Sequence, residues 1–485
     1  MNTIQPHHPD ANYKWVALLV ASLGTLVGIL NSSTLIIALP TLMVDLNTTL
    51  VNVTWVLIVY MLVMTILAPV CGRFADMYGR KKIYIFGILV FTIASLLCGM
   101  VADVYQLIGF RIFQAIGGAI IVSNGTIIVV DAFPRQELGR AMGILSMIIA
   151  ATFVLGPVIG GFLSMIDWRL NFFLNVPIGI VAAYLTWKRL YEIHEFKGEE
   201  TFDFFGLLLF AIAFIALTIY GGAGFLVGLF SPAMLLMLII GLVCLVAFIR
   251  HELRTRYPLI DLSLFKSRTY LFGQSSAFIN SIARGAVMML LILFFQGLKG
   301  YDPLMASILI APMGIGLVIT GPIGGMLSDK YGSRIVTTFG LIISFFGLLG
   351  LALMQYDTPI WLILVWIFIS GVGSGLFQPP NTSAIMACVS LERRGAASAM
   401  RTFLGNTGMV IAMTIALPIL VSTVPLDQMM NMFVVGGMHQ PVPVQISFTG
   451  GVTMAFWISS AFTILAIIAS AMRGTDEQAA IPEEI

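Results

Sequence analysis

Charged side chains are scarce in this sequence. Asp, Glu, Lys and Arg together make up 10% of the 485 residues, whereas hydrophobic residues make up 59%. Soluble domains carry about 25% charged residues. With a mean hydropathy of +1.00, this composition excludes an ordinary soluble domain.

Cysteine and histidine are also few. The four cysteines lie in or at the edges of apolar runs, which favours small core residues over a disulfide framework. The five histidines lie outside those runs and are scattered along the chain, so we predict no metal site and no cofactor. A net charge of +2 gives no indication of a nucleic-acid partner.

Long apolar runs recur along the whole sequence instead. Each is long enough to cross the ~30 Å hydrocarbon core of a bilayer as a helix. They are too long and too uniformly apolar to be the strands of a membrane barrel. We therefore predict an all-α polytopic membrane protein with fourteen transmembrane helices, embedded in the lipid bilayer of the plasma or inner membrane.

Basic residues predict the orientation of these helices. If the N-terminus is inside, most of the 25 Lys and Arg residues fall in cytoplasmic segments or at their edges. Because positive charge is retained on the cytoplasmic side, we predict that both termini are cytoplasmic. The first apolar run has no basic start and no small-residue cleavage site, so we expect it to be retained.

The sequence contains an internal repeat. The stretch APVCGRFADMYGRKK at 68–82 is similar to GPIGGMLSDKYGSR at 321–334, and NGTIIVVDAFPRQELGRA at 124–141 is similar to NTSAIMACVSLERRGAA at 381–397. Duplicated halves are typical of secondary transporters, whose binding site lies between the halves at the bilayer midplane.

The repeat also predicts the domain organisation. We expect two pseudo-symmetric six-helix bundles, at 1–190 and 258–485. The intervening linker, 191–257, would hold two inserted helices beside the bundles and outside the transport path, near 204–222 and 231–249.

The loop GRFADMYGRKK, at 72–82, concentrates charge between the second and third spans. A positive-inside loop would explain Arg73, Lys81 and Lys82. It would not explain Asp76, the glycines or the second copy of the pattern at 325–334. We therefore expect a mechanistic role for this loop.

At this point the chain resembles the major facilitator superfamily, and more closely its fourteen-helix drug:proton antiporter branch. The resemblance covers nearly the whole chain. It rests on the loop just quoted, on LIGFRIFQAIGGAI at 107–120, on GPVIGG at 156–161, on DWRLNFFLNVPIG at 167–179 and on PLIDLSLFKSRTY at 258–270. Ala115 and Thr152 stand where the branch usually has glycine.

The resemblance implies that the loop is a gate. Asp76 would dock on the N-terminal end of the span beginning near Gly395, where the helix dipole favours a carboxylate, and Arg80 would pair with Asp131. The gating residues predicted for this loop and its second copy are Gly72, Asp76, Gly79, Arg80, Asp131, Asp329 and Arg334.

The GPVIGG stretch is predicted to take part in gating as well. Pro157 would bend the fifth span, and Gly156, Gly160 and Gly161 would let it pivot on a neighbour in the opposite half. A helix-packing face is the alternative interpretation, since small residues let membrane helices approach closely. The two interpretations are compatible.

The chain departs from the antiporter branch in its first span. The branch usually carries Asp in a stretch like LDSTIVNVALP, whereas this chain reads LNSSTLIIALP, with Asn31 in the place of the acid. An intramembrane carboxylate is the usual proton carrier and the usual partner of a cationic substrate. Without this acid, the first span lacks both the usual proton carrier and the usual partner of a cationic substrate.

Three arginines lie within predicted spans. Arg111 matches a superfamily motif and could bind substrate or hold neighbouring helices together. Arg401 is close enough to the cytoplasmic edge to snorkel. Arg284 lies near the middle of its span, where a charge costs at least ~2.5–3.5 kcal/mol, and no compensating acid is evident. The predicted substrate-binding residues are Asn31, Tyr60, Arg111, Gln114, Asn280, Arg284, Gln378 and Asn381.

These features predict a secondary active transporter that exports small amphipathic compounds by alternating access, as a monomer, in proton-coupled multidrug efflux. The alternative is an exporter or facilitator of an anionic amphiphile, such as a lipid-like molecule or organic acid, bound by Arg284. A transport-inactive receptor is a third interpretation, which the two gating loops disfavour. We find no catalytic cluster and predict that the protein is not an enzyme.

Overall fold

The computed structural model of the chain describes residues 13–133, 135–192, 203–228, 230–255, 262–389, 394–433 and 437–474. These residues form α-helices and contain no β-strand. The helices are α1 Tyr13–Asp45, α2 Leu50–Tyr78, α3 Arg80–Gly99, α4 Val104–Ala132, α5 Arg135–Ile166, α6 Leu170–Phe173, α7 Asn175–Arg189, α8 Phe204–Val227, α9 Pro232–Glu252, α10 Arg268–Arg284, α11 Val287–Ile292, α12 Pro303–Tyr331, α13 Ser333–Ala352, α14 Ile360–Ala387, α15 Arg394–Thr423, α16 Leu426–Asn431 and α17 Val442–Ala471. A π-helical segment, Leu293–Leu298, continues α11.

Thirteen of these helical segments are long and apolar enough to cross a membrane. The short α6 and the following α7 count together as one of them, Leu170–Arg189. The 32-residue α5 is also long enough to cross, but only its part Leu155–Ile166 is recognised as an apolar helix. A multi-pass helical membrane protein is thus confirmed, and the count of fourteen stays a prediction.

Local sequence explains several helix boundaries. The side chains of Thr49 and Asp302 accept hydrogen bonds from backbone N–H groups in the first turns of α2 and α12. The same two helices end at glycines with positive φ, Gly79 at 99° and Gly332 at 83°, a conformation that side chains disfavour. The two copies of the sequence repeat therefore end equivalent helices in the same way.

The helices form two bundles of related construction. In the first half, α1 packs on α4, α5 and α7, and α4 also packs on α2 and α3; in the second half, α14 packs on α12 and α13, and α10 packs on α15 and α17. A Cβ at Gly117 would lie 2.5 Å from the backbone nitrogen of Phe91 in α3, and a Cβ at Gly373 would lie 2.5 Å from the carbonyl oxygen of Gly340 in α13. Both helix pairs therefore touch through their backbones, as small residues allow.

The two halves contact each other near one end of the bundle. We call the end at which α1 begins the Tyr13 end and the other the Asp45 end. Near the Asp45 end, Gln296 Nε2 donates a hydrogen bond of 2.9 Å to the carbonyl oxygen of Ile37 in α1. Residues 33–40 and 289–298 are all buried, so this part of the interface is closed.

The hairpin of α8 and α9 lies beside the two bundles. Near the Tyr13 end of α8, the ring of Phe210 packs on that of Phe403 in α15, with centroids 5.1 Å apart. Near its Asp45 end, a Cβ at Gly222 would lie 3.4 Å from Thr414 of α15 and from Trp55 of α2. The helix α8 therefore follows the seam between α2 of the first half and α15 of the second.

This placement predicts a disulfide between α8 and α15. A Cβ at Gly221 would lie 3.6 Å from the Cβ of Thr414, within the 3.5–4.5 Å range of disulfides. We expect Gly221→Cys/Thr414→Cys, made in a chain without its native cysteines, to cross-link on mild oxidation, as detected by peptide mass spectrometry. The control pair, Gly221→Cys/Gly405→Cys, should not cross-link, because Gly405 is nearest Ser281 of α10. Equal yields from both pairs would contradict this packing.

Candidate functional site

A polar network lies inside the first half. Arg111 and Gln114 project from α4 towards Asn31 of α1, Ser95 of α3 and Tyr60 of α2. None of these five side chains is more than 1% exposed. Four of the eight predicted substrate-binding residues thus come together at one place, between the first and fourth helices of the half.

Arg111 is held by neutral groups. Its Nε donates to the carbonyl oxygen of Val56 at 3.2 Å, and its Nη1 donates to Asn31 Oδ1 at 3.1 Å and to Gln114 Oε1 at 2.5 Å. Its guanidinium carbon lies 4.1 Å from the centre of the Tyr60 ring, a cation–π distance. The charge is therefore stabilised by dipoles and an aromatic ring and not by a carboxylate.

Gln114 completes the network. Its Nε2 donates to Asn31 Oδ1 at 3.2 Å and to Ser95 Oγ at 2.7 Å. Asn31 Oδ1 is thus a shared acceptor for both α4 side chains. Because every member is buried, this network connects helices, and in this conformation it presents no surface to a ligand.

The second half also places an arginine between its first and fourth helices. The offset that pairs Asp76 with Asp329 in the sequence repeat pairs Asn31 with Arg284. Arg284 Nη1 donates to Ser370 Oγ of α14 at 2.9 Å and to Ser344 Oγ of α13 at 3.2 Å. The guanidinium comes from α4 in one half and from the α1 counterpart in the other.

Arg284 differs from Arg111 in being partly exposed. Among the described residues, its hydrogen bonds all involve Nη1. Ala277, Ser281, Arg284 and Met288 are all partly exposed and recur on one face of the chain. This stripe gives access to the Arg284 guanidinium, so Arg284 is both an interhelical link and a candidate ligand contact.

The remaining predicted binding residues are dispersed. Asn280 is buried, and Gln378 is exposed on α14. Asn381 is buried, donates to the carbonyl oxygen of Gly273 at 3.2 Å and accepts a hydrogen bond from Arg473. Arg473 is 1% exposed; sequence reasoning missed it because a basic residue just after the last span looks like an ordinary cytoplasmic anchor.

The loop between α2 and α3 contains the predicted ion pair. Arg80 Nη1 contacts Asp131 Oδ2 at the end of α4. The Glu192 carboxylate, which sequence reasoning missed, accepts hydrogen bonds from the backbone nitrogens of Arg80 at 2.7 Å and Lys81 at 3.1 Å. It satisfies the first N–H groups of α3 and connects the segment after α7 to the loop.

Other parts of the predicted gate are less constrained. The side chains of Asp76 and of residues 394–396 lie outside the described residues, so the predicted docking of Asp76 stays a prediction. A Cβ at Gly72 would meet nothing within 4 Å. Asp329 and Arg334, in the second copy, are exposed.

The prediction for the GPVIGG stretch was wrong in part. Gly156 approaches Ser33, and a Cβ at Gly160 would lie 2.5 Å from the Cα of Thr34, so both pack on α1 of the same half. Only Gly161 faces the opposite half, where a Cβ would lie 2.6 Å from the carbonyl oxygen of Pro303 in α12. Successive small residues point to different sides of α5, so they cannot all face one neighbour. The α-helix continues through Pro157.

Two helical bundles of related construction, with polar side chains between their helices, are typical of a membrane transporter. The chain belongs to the Major Facilitator Superfamily, whose sequence profile matches residues 21–413 and 275–483. This confirms the superfamily resemblance, and the relatives are transporters and not enzymes.

Curated relatives include the riboflavin transporter RibZ of Clostridioides difficile (strain 630), which is 32% identical over 387 residues covering 79% of this chain and 83% of that protein. The multidrug transporter protein MdtP of Bacillus subtilis (strain 168) is 29% identical over 370 residues, covering 74% of this chain and 67% of that protein. A bacterial homologue of the human lysosomal transporter Spinster, solved inward-facing and unoccupied, superposes with a TM-score of 0.69 at 16% identity, over 98% of this chain and 100% of its own. That likeness shows the fold.

The polar network predicts a stability effect at Asn31. We expect Asn31→Leu to lower the free energy of unfolding by about 1.5–3 kcal/mol, because Arg111 and Gln114 lose their shared acceptor. Thermal or denaturant unfolding in detergent measures the loss. The control is Ser32→Leu, whose hydroxyl bonds only within α1, to Gly28. Similar losses in the two variants would argue against the network.

Proposed function

We propose that this protein moves small amphipathic compounds across the membrane by alternating access between its two halves. The observation that carries the proposal is the interface near the Asp45 end. There the halves are joined by Gly161 against α12 and by the Gln296–Ile37 hydrogen bond, and these contacts would have to break for this end to open. The relatives named for riboflavin and multidrug transport support a small-molecule substrate.

The gate would operate at the Tyr13 end, which the basic residues predict to be cytoplasmic. Arg80, Asp131 and Glu192 bind the α2–α3 loop to the ends of α4 and α7. These contacts keep the loop in place as part of the first half. We propose that the loop then docks on the second half through Asp76 when the Tyr13 end closes.

A second candidate concerns the charge of the substrate. Arg284 is partly exposed, and no acid accompanies it among its contacts. In the described helices, every Asp and Glu lies within about one turn of a helix end. A binding site with a guanidinium and no carboxylate favours an anionic or neutral amphiphile over a cationic drug.

The substrate preference can be tested with a matched set of probes. The probe set would consist of the anionic 1-naphthaleneacetate, its neutral carboxamide and the cationic 1-naphthylethylamine. Arg284→Ala should weaken equilibrium binding of the carboxylate about tenfold or more, because a desolvated charge-assisted hydrogen bond contributes ~1.5–3 kcal/mol. Binding of the carboxamide should change less than about twofold on the same grounds.

The control for this test is Ser370→Ala, which removes a partner of Arg284 without removing the charge. It should lower stability more than it alters probe selectivity. If Arg284→Ala weakened all three probes equally, Arg284 would be a structural residue and the anion preference would be lost.

Proton coupling, which the resemblance to the antiporter branch implies, is the second quantity to measure. In the described helices the acids are near helix ends, so no carboxylate lies at the middle of a span to carry a proton. We therefore expect an imposed pH gradient to change the initial transport rate in proteoliposomes less than about twofold. Substrate-dependent proton movement, reported by an entrapped pH dye, would contradict this expectation and direct attention to Asp131.

A further inference from the structure

Arg401 lies inside α15 and is not part of the site described above. It lies seven residues after the first residue of that helix, which is about 10 Å along the axis. It lies two turns before Gly408 and on the same face. A Cβ at Gly408 would lie 2.7 Å from the Cβ of Ser281 in α10, so this face of α15 is the one that packs on α10.

A second contact between α10 and α15 lies on the other side of Arg401 along the helix. Gln274 Nε2 of α10 donates to the carbonyl oxygen of Ala397 at 3.4 Å. Arg401 is one turn beyond Ala397 and precedes Gly405 and Gly408. Its side chain therefore extends into the groove between α10 and α15.

One side of this groove is covered. The helix α17 packs against both α10 and α15, which closes the side away from the first half. On the other side, α15 packs on α2 of the first half. The side of the groove opposite α17 therefore faces the first half.

Arg401 has no protein partner among the described residues, where no hydrogen bond or ion pair involves it. Its side chain is partly exposed. A guanidinium at this position, about 10 Å inside the helix, has either to extend to the cytoplasmic interface or to meet water or an acceptor. Arg111 and Arg284 both donate to acceptors on neighbouring helices, whereas the Arg401 donors meet no acceptor among the described residues and are available to a ligand.

Arg401 and Arg284 lie at different depths along one path. Ser281 is level with Gly408, Arg284 is one turn nearer the Asp45 end, and Arg401 is two turns nearer the Tyr13 end. With 1.5 Å per residue, the two Cα atoms are about 15 Å apart along the axis. The Arg284 guanidinium is held at its depth by Ser344 and Ser370, so the two arginines offer their charges at different depths.

We propose that Arg401 is a separate binding site for the anionic group of the substrate. The substrate occupies this site when its anionic group is nearer the Tyr13 end than Arg284. The ligand class is an amphiphile with a carboxylate, sulfonate or phosphate. The proposal rests on the transport function given above. In the course of transport, the anionic group contacts Arg401 at one depth and Arg284 at the other.

The test uses proteoliposomes in which transport is measured separately from the two faces. For 1-naphthaleneacetate supplied at the Tyr13 face, Arg401→Gln should raise KM about tenfold. For the same probe supplied at the Asp45 face, and for the neutral carboxamide at either face, KM should change less than about twofold. Arg401→Lys should recover most of the loss, because it restores the charge.

The control variant is Arg250→Gln, which removes an exposed arginine at the end of α9 and should leave both probes unaffected. Equal losses for the carboxylate and the carboxamide, or equal losses from the two faces, would overturn the proposal. Such results would make Arg401 a structural residue or a second contact at the depth of Arg284.

The phosphate of a lipid could accept hydrogen bonds from the Arg401 guanidinium in place of the substrate. A stability measurement distinguishes a bound lipid from a bound substrate. If Arg401 holds a lipid, added phosphatidylglycerol should stabilise the wild-type protein in detergent but not Arg401→Gln, and the variant should show no selectivity change between the probes. That outcome would also overturn the proposal.

If the wild-type protein transported neither probe, the proposed function would fail for this substrate class. Equilibrium binding in detergent would still test Arg401 by itself. Weaker binding of the carboxylate, but not of the carboxamide, to Arg401→Gln would support the site. Unchanged binding of both would reject it.

Discussion

A guanidinium group inside an apolar bundle needs acceptors for its hydrogen bonds, and the arrangement of both halves follows from this need. Arg111 obtains its acceptors from Asn31, Gln114 and the Val56 carbonyl, and in doing so it connects α4 to α1 and α2. Arg284 obtains them from serines on α13 and α14. Each half thus has its first and fourth helices held together through one positive charge, and neither uses a carboxylate.

Small residues determine how these bundles pack and where they meet. Backbone contact at Gly117 and Gly373 joins the third and fourth helices of each half, which makes each half a compact unit. Between the halves, Gly161 allows α5 to approach α12 closely near the Asp45 end. Compact bundles that approach each other closely at one end are suited to rocking about that contact. The α8–α9 hairpin lies along the α2–α15 seam, so any rocking must also move this hairpin relative to one of the halves.

Sequence reasoning succeeded where a feature depends on neighbours in the chain or on a repeated pattern. Apolar runs predicted the membrane helices, and the resemblance to the superfamily, carried by the loop motif, implied the Arg80–Asp131 pair. Sequence reasoning failed where the direction in which a side chain points from its helix decides its partner. Gly156 and Gly160 were expected to face the opposite half but pack on α1, and Glu192 and Arg473 were overlooked because their partners are far away in the sequence.

The sequence by itself determined the membrane class, the duplicated architecture and the superfamily, because these depend on composition, run length and the order of motifs. It also determined that the spans carry arginines and that their acids lie near the ends. Only the tertiary structure decided which arginines meet acceptors on neighbouring helices. Arg111 and Arg284 meet acceptors on neighbouring helices, whereas Arg401 lies in a groove with none among the described residues. That difference depends on the rotation and depth of each helix against its neighbours, which hydrophobic periodicity alone does not specify.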